Sequence, residues 1–89
     1  MRRFSFIART DGRIGLFSPN APAQAFILDR SIVTESWSQM LEKGHGEIIP
    51  DNKGFEDLGM AFGEMSDSAW VEYVHILRKL DPHGEVSDQ

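Results

Sequence analysis

The sequence predicts a single small α+β domain, in which an N-terminal antiparallel β-hairpin and a third strand pack against about three α-helices. A chain of 89 residues suits one domain, because a hydrophobic core this small cannot be divided. The first 30 residues have the two-residue alternation of strands, whereas later apolar residues recur at helical spacing. We therefore expect one domain over residues 1–82 and a disordered acidic tail over residues 83–89.

The hairpin is predicted over residues 3–18, where strand-favouring residues flank the turn signal Thr10-Asp11-Gly12. A two-residue loop would leave both faces of the hairpin apolar. A three-residue loop, with Gly12 in the left-handed conformation of a bulge, instead separates an apolar face from a mixed one, and we prefer this register. The apolar face then carries Phe4, Phe6, Ala8, Ile14 and Leu16. The opposite face carries Arg3, Ser5, Ile7, Arg9, Gly15 and Phe17.

A proline-rich loop and a third strand follow the hairpin. Pro19 and Pro22 fix the backbone and remove hydrogen-bond donors, which favours a loop. Residues 25–28 are suited to a strand. Residues 47–49, closed by Pro50, are compatible with a short edge strand, and the sequence leaves open whether they form one.

Three helices are predicted in the remaining chain. The first begins between Ser31 and Thr34 and ends at Lys43, with Gly44 as its cap. The second covers about residues 55–65, although two glycines weaken it. The third is capped by residues 66–68 and ended by Asp81-Pro82. The predicted core consists of Phe4, Phe6, Ile14, Leu16, Trp37, Leu41, Phe62, Trp70, Val74 and Leu77.

The sequence lacks a recognisable chemical site. Without cysteine there is no disulfide, thiolate nucleophile or cysteine zinc site. His45, His75 and His83 have no second ligand at the spacing that would place both on one helical face. We therefore expect no catalytic, cofactor-binding or metal-binding residue, and a non-enzymatic protein. No apolar run is long enough to cross a membrane, so the expected location is the cytoplasm.

Charge is distributed unevenly along the chain. Residues 1–30 have a balance of +3 and residues 31–89 a balance of −8, which together give the net charge of −5. An acidic surface repels phosphate backbones and attracts basic proteins, so we expect a protein partner with a basic surface and no direct nucleic-acid binding. The candidate acidic contact residues are Glu42, Glu47, Asp51, Glu56, Asp57, Glu64, Asp67 and Glu72.

A second candidate contact surface lies on the mixed face of the hairpin, where arginines flank exposed apolar residues. Its residues are Arg3, Ile7, Arg9 and Phe17. If the hairpin forms an edge of the sheet, two copies of the chain are able to pair through this surface as a homodimer.

These observations favour a small acidic protein-binding module with a regulatory or inhibitory role. One alternative is an acidic decoy from a phage or mobile element that blocks a nucleic-acid-binding surface on a host protein. Another is an enzyme, or an enzyme subunit, without a recognisable motif. The salt dependence of binding distinguishes the binding module from the decoy. A carboxylate-based decoy loses affinity steeply as the salt concentration rises, whereas an aromatic interface does not.

Overall fold

The described residues fold into an antiparallel sheet with two helices on one face. The computed structural model describes residues 1–21, 23–45 and 59–82, together with the backbone of residues 85–88. The elements, in chain order, are β1 (Arg2–Ala8), β2 (Ile14–Ser18), β3 (Gln24–Leu28), α1 (Arg30–Glu42), β4 (Met60–Met65), α2 (Asp67–Leu80) and β5 (Glu85–Asp88). The strand order is β4-β1-β2-β3-β5. The α+β class is confirmed, with two helices in the described part of the chain instead of about three.

The hairpin has the predicted register. Phe6 pairs with Leu16 and Ala8 with Ile14, as a three-residue loop requires. Gly12 has a φ of 82°, which is favourable only for glycine. The turn is closed by the N–H of Gly12, which donates to the carbonyl of Arg9 at 3.2 Å. The loop chemistry of residues 10–12 therefore determines which side chains of β1 face the core.

The core lies between the sheet and the two helices. Phe6 packs edge-to-face against Trp37 of α1 and Tyr73 of α2, with ring centroids 5.1 and 6.5 Å apart. Trp70 of α2 contacts the rings of Phe4 and Phe26 and donates a hydrogen bond from Nε1 to Gln24 at 3.0 Å. Aromatic contacts thus join α1 to β1, and α2 to both β1 and β3.

Local hydrogen bonds determine where the helices begin and end. Ser66 caps α2 by accepting a hydrogen bond from the N–H of Ala69, as the sequence predicts. Helix α1 starts earlier than predicted, after Asp29, whose side chain makes no capping hydrogen bond. At its other end, Gly44 has a φ of 89°, and the N–H of His45 donates to the carbonyl of Met40. This is the Schellman arrangement, and it confirms Gly44 as the terminating residue.

The predicted second helix is wrong where the structure describes it, because residues 60–65 form strand β4. Phe62 and Met65 fit helical spacing, which made a helix plausible, but Ala61 and Met65 alternate toward the core as strand residues do. Between them Gly63 faces Phe4, and a Cβ at Gly63 would lie 2.5 Å from the Phe4 Cζ atom. Because the inward position 63 is a glycine, the sequence of β4 lacks the apolar alternation that is typical of a strand. Residues 55–58 lie outside the described residues.

Eight of the ten predicted core residues contact the core, and two are wrong. Six are buried, while Trp37 and Val74 are partly buried against the core. Leu41 is 60% exposed on α1, and Phe62 is 69% exposed because β4 turns it away from the helices.

Residues 85–88, which the sequence predicts to lie in a disordered tail, form strand β5. Their backbone pairs with β3, and Phe26 lies opposite Val86 in this ladder. Strand pairing depends on backbone groups, so a polar segment is able to complete a sheet edge. The predicted strand at residues 47–49 lies outside the described residues.

Candidate protein-interaction surface

The face of the sheet opposite the helices is the strongest candidate site, and we call it the open face. Strand alternation determines its members, since each neighbour of an inward residue points outward. Four large apolar side chains on it reach solvent: Phe62 (69% exposed), Ile7 (46%), Met60 (40%) and Phe17 (37%). The open face consists of Arg3, Ser5, Ile7, Gly15, Phe17, Ala25, Ile27, Met60, Phe62 and Glu64.

A shallow groove crosses the open face at Ser5. Phe62 of β4 and Phe17 of β2 are the direct cross-strand neighbours of Ser5, so the two rings rise on either side of a small residue. The groove has a volume of about 230 Å³, with Arg3 and Pro19 also in its lining. Its walls are apolar, and a cationic side chain lies beside it.

Hydrogen bonds to the loop after β2 position the strand that carries Arg3. The backbone N–H of Arg3 donates to Asn20 Oδ1 at 2.7 Å. Arg2 points to the other face, where Nη1 donates to the Asn20 carbonyl at 3.1 Å and the guanidinium lies 5.7 Å from the Trp70 ring centroid. This anchoring gives the groove a preformed end.

The charges that β1 and β4 contribute to the open face are balanced. Arg3 and Glu64 are cross-strand neighbours, and both are exposed. Among the described residues, neither side chain takes part in an ion pair. Strands β1 and β4 therefore present one positive and one negative group to an incoming surface.

Only part of the predicted hairpin surface lies on the open face. Arg3, Ile7 and Phe17 do lie there, but β1 is a central strand between β4 and β2, so this surface is not a sheet edge. Arg9 belongs to the turn, where its guanidinium pairs with Asp11 at 3.1 Å. The hydrogen bond from Arg9, followed by that from the Arg13 N–H, lowers the pKa of Asp11 below its ordinary value.

The described acidic candidates do not gather on one face. Glu64 lies on the open face, whereas Glu42 ends α1 and Glu72 lies within α2, on the opposite side of the sheet. Asp67 begins α2 and lies 3.4 Å from Arg2 Nε. Glu47, Asp51, Glu56 and Asp57 lie outside the described residues.

Glu72 links the two helices. Its Oε2 accepts a hydrogen bond from His45 Nε2 at 3.0 Å, and Lys43 Nζ lies 3.4 Å from its Oε1. The His45 hydrogen bond, followed by Lys43, lowers the pKa of Glu72 below its ordinary value, although partial burial of the carboxyl acts in the opposite direction. These contacts tie the end of α1 to the middle of α2, which indicates a structural role.

The buried polar pair Ser36 and Tyr73 also has a structural explanation. The two hydroxyls lie 3.0 Å apart, and the Ser36 hydroxyl also donates to the Val33 carbonyl at 2.8 Å. Burial raises the pKa of Tyr73. Within residues 1–21, 23–45 and 59–82, no three His, Asp or Glu side chains meet to form a metal site.

Sequence reasoning missed Met60 and Phe62 as surface residues. Both fall in the segment predicted as a helix, and that prediction placed Phe62 in the core. The signal that was available is the pair Gly59 and Gly63, because each is unfavourable inside a helix. Gly59 has a φ of 71°, and its carbonyl accepts from the Ala8 N–H at 2.8 Å where β4 joins the sheet.

Comparisons with known proteins add no functional information. No protein-family model, curated protein or solved structure matches this chain. In the part of the chain that the structure describes, no helix has the length and apolarity needed to span a membrane. The geometry of the open face is therefore the guide to function.

Proposed function

We propose that this chain is a non-enzymatic protein-binding module with a regulatory or inhibitory role, and that the open face is its contact surface. The observation that carries the proposal is the group of four exposed large apolar residues on one side of the sheet. Contiguous apolar patches on small proteins commonly mark sites of interaction. Arg3 beside the groove adds the aromatic and arginine composition that is enriched in protein interfaces.

The open face supports a contact role better than the acidic residues do. Glu72 and Asp67 already have cationic neighbours within the chain, and Glu42 and Glu64 lie on opposite sides of the sheet. Scattered carboxylates of this kind keep a protein soluble and steer encounters, while buried aromatic contacts supply most of the affinity. We therefore favour an apolar interface over the alternative of an acidic decoy.

Affinity capture from the source cell, followed by mass spectrometry, tests the proposal. The bait is the full chain, compared with Phe62→Ser and Ile7→Lys, which change the open face. Leu41→Ser is the matched control, because Leu41 is 60% exposed on α1, away from the open face. We expect partners captured by the unmodified chain and Leu41→Ser to be lost with both open-face variants. If the same partners remain bound to folded Phe62→Ser and Ile7→Lys, the open face is ordinary surface and the proposal is wrong.

A further inference from the structure

We infer that the open face also binds a second copy of this chain, in a two-fold dimer whose axis runs parallel to the strands between β1 and β4. This inference rests on the proposed function, because both use the open face. It follows from the register of β1 against β4, which pairs residues whose side chains are complementary in shape and in charge.

With this two-fold axis, the two residues of each β1–β4 cross-strand pair contact each other between copies, and each such contact occurs twice in the dimer. When two such sheets pack face to face, a β1 residue of one copy lies over the β4 position that is its own cross-strand partner. Phe62 of each copy then lies over Ser5 of the other, and Met60 over Ile7. The most exposed ring of the open face thus meets the groove floor, where the side chain is small.

Charge complementarity favours a second copy over a strongly basic partner. The same axis places Arg3 of each copy opposite Glu64 of the other, so two ion pairs form across the interface. The β1 and β4 part of the open face is neutral, although the whole chain has a net charge of −5, so little charge repulsion opposes contact of the copies there.

The dimer is expected to be weak. Only two strands of each copy stack closely in this arrangement, which gives an interface below the size of stable complexes. We therefore expect a dissociation constant of roughly 10–100 µM, and a protein partner with a larger interface would displace the second copy.

Sedimentation equilibrium of the full chain, from about 5 to about 500 µM, tests the inference. We expect a reversible dimer for the unmodified chain. Arg3→Glu alone and Glu64→Arg alone each place like charges opposite one another twice, so each should weaken dimerisation by roughly tenfold or more. The combined Arg3→Glu/Glu64→Arg variant should dimerise again.

Mixing the two single variants gives the sharpest result. Between one Arg3→Glu chain and one Glu64→Arg chain, both facing pairs are of opposite charge, so the mixture should form heterodimers although neither variant self-associates. Lys79→Glu and Glu42→Arg, which make the same charge changes on the exposed surfaces of the helices, should leave dimerisation unchanged. Melting temperatures verify that every variant is folded.

The outcomes separate this inference from the proposed function. A monomer at every concentration overturns the dimer, whatever the capture experiment shows. A dimer that is indifferent to Arg3→Glu, Glu64→Arg and Phe62→Ser also overturns it, because the copies then meet elsewhere. Loss of partner capture in Phe62→Ser supports the proposed function even where the chain is monomeric.

Discussion

Gly63 shows how one residue determines both the packing and the surface of this sheet. The Phe4 ring lies over Gly63 and is itself held between Phe6 and Trp70. The Phe4 ring occupies the space that a side chain at position 63 would fill. Position 63 is therefore a glycine and adds no apolar residue to the sequence pattern of β4. The close approach also sets β4 against β1, and this places Phe62 on the opposite side, in solvent.

Gly63→Ala should therefore destabilise the fold by about 1–3 kcal/mol, because its Cβ overlaps a ring that cannot move freely. Gly15→Ala is the control: it is also a strand glycine, but its added Cβ would have only the Ile7 carbonyl oxygen nearby, at 3.8 Å. Chemical denaturation measures both. Equal stability of the two variants would show that the Phe4 ring relaxes without penalty.

At the scale of elements, the hairpin turn, the end of α1 and the start of α2 were predictable because single residues determine them. Gly12, Gly44 and Ser66 each have one favoured local role, and each performs it. The strand β4 was not predictable in this way, because two of its three inward residues, Ala61 and Gly63, are small and its partner β1 is distant in sequence. The open face was accordingly predicted only in part: β1 and β2 supplied Arg3, Ile7 and Phe17, whereas Phe62 and Glu64 needed the correct element.

The contact of Glu72 with His45 and Lys43 should make the free energy of unfolding decrease as the pH falls into the acidic range. The pKa of Glu72 is lowered in the folded state, so its contribution is present above about pH 5 and is lost as the pH falls through the lowered value. Glu72→Gln removes this ionisation. Its melting temperature should therefore fall less than that of the unmodified chain between about pH 5 and pH 3. Glu42→Gln, without an ion pair among the described residues, is the control, and identical acid profiles for Glu72→Gln and the unmodified chain would contradict the assignment.

At the scale of the whole molecule, one aromatic cluster holds the sheet and both helices together. Trp70 contacts Phe4, Phe26 and Tyr73, so it connects β1 and β3 to α2. Helical spacing from Trp70 to Leu77 was strong enough to predict this packing. It could not reveal that Leu41 faces solvent, since Leu41 directly follows the buried Met40 and the apolar stripe of α1 is narrower than its sequence indicates.

Trp70→Ala should destabilise the protein by about 3–5 kcal/mol, which is comparable to the total stability of a domain of this size. Most molecules should then be unfolded at room temperature. Val71→Ala, at the neighbouring exposed position of α2, should change stability by less than about 0.5 kcal/mol. Circular dichroism during heating measures both, and an unchanged melting temperature for Trp70→Ala would contradict the packing described above.

The position of β4 beside β1 also has a kinetic consequence. Phe6 and Leu16 meet across a short hairpin, whereas Ser5 and Phe62 are 57 positions apart, so β4 joins the sheet only after a long loop closes. We expect the hairpin strands to acquire amide-exchange protection first during refolding and β4 later. Phe62 and Glu64 arrive with β4, so a chain released from the ribosome would be unable to engage a partner through this surface until that long loop has closed.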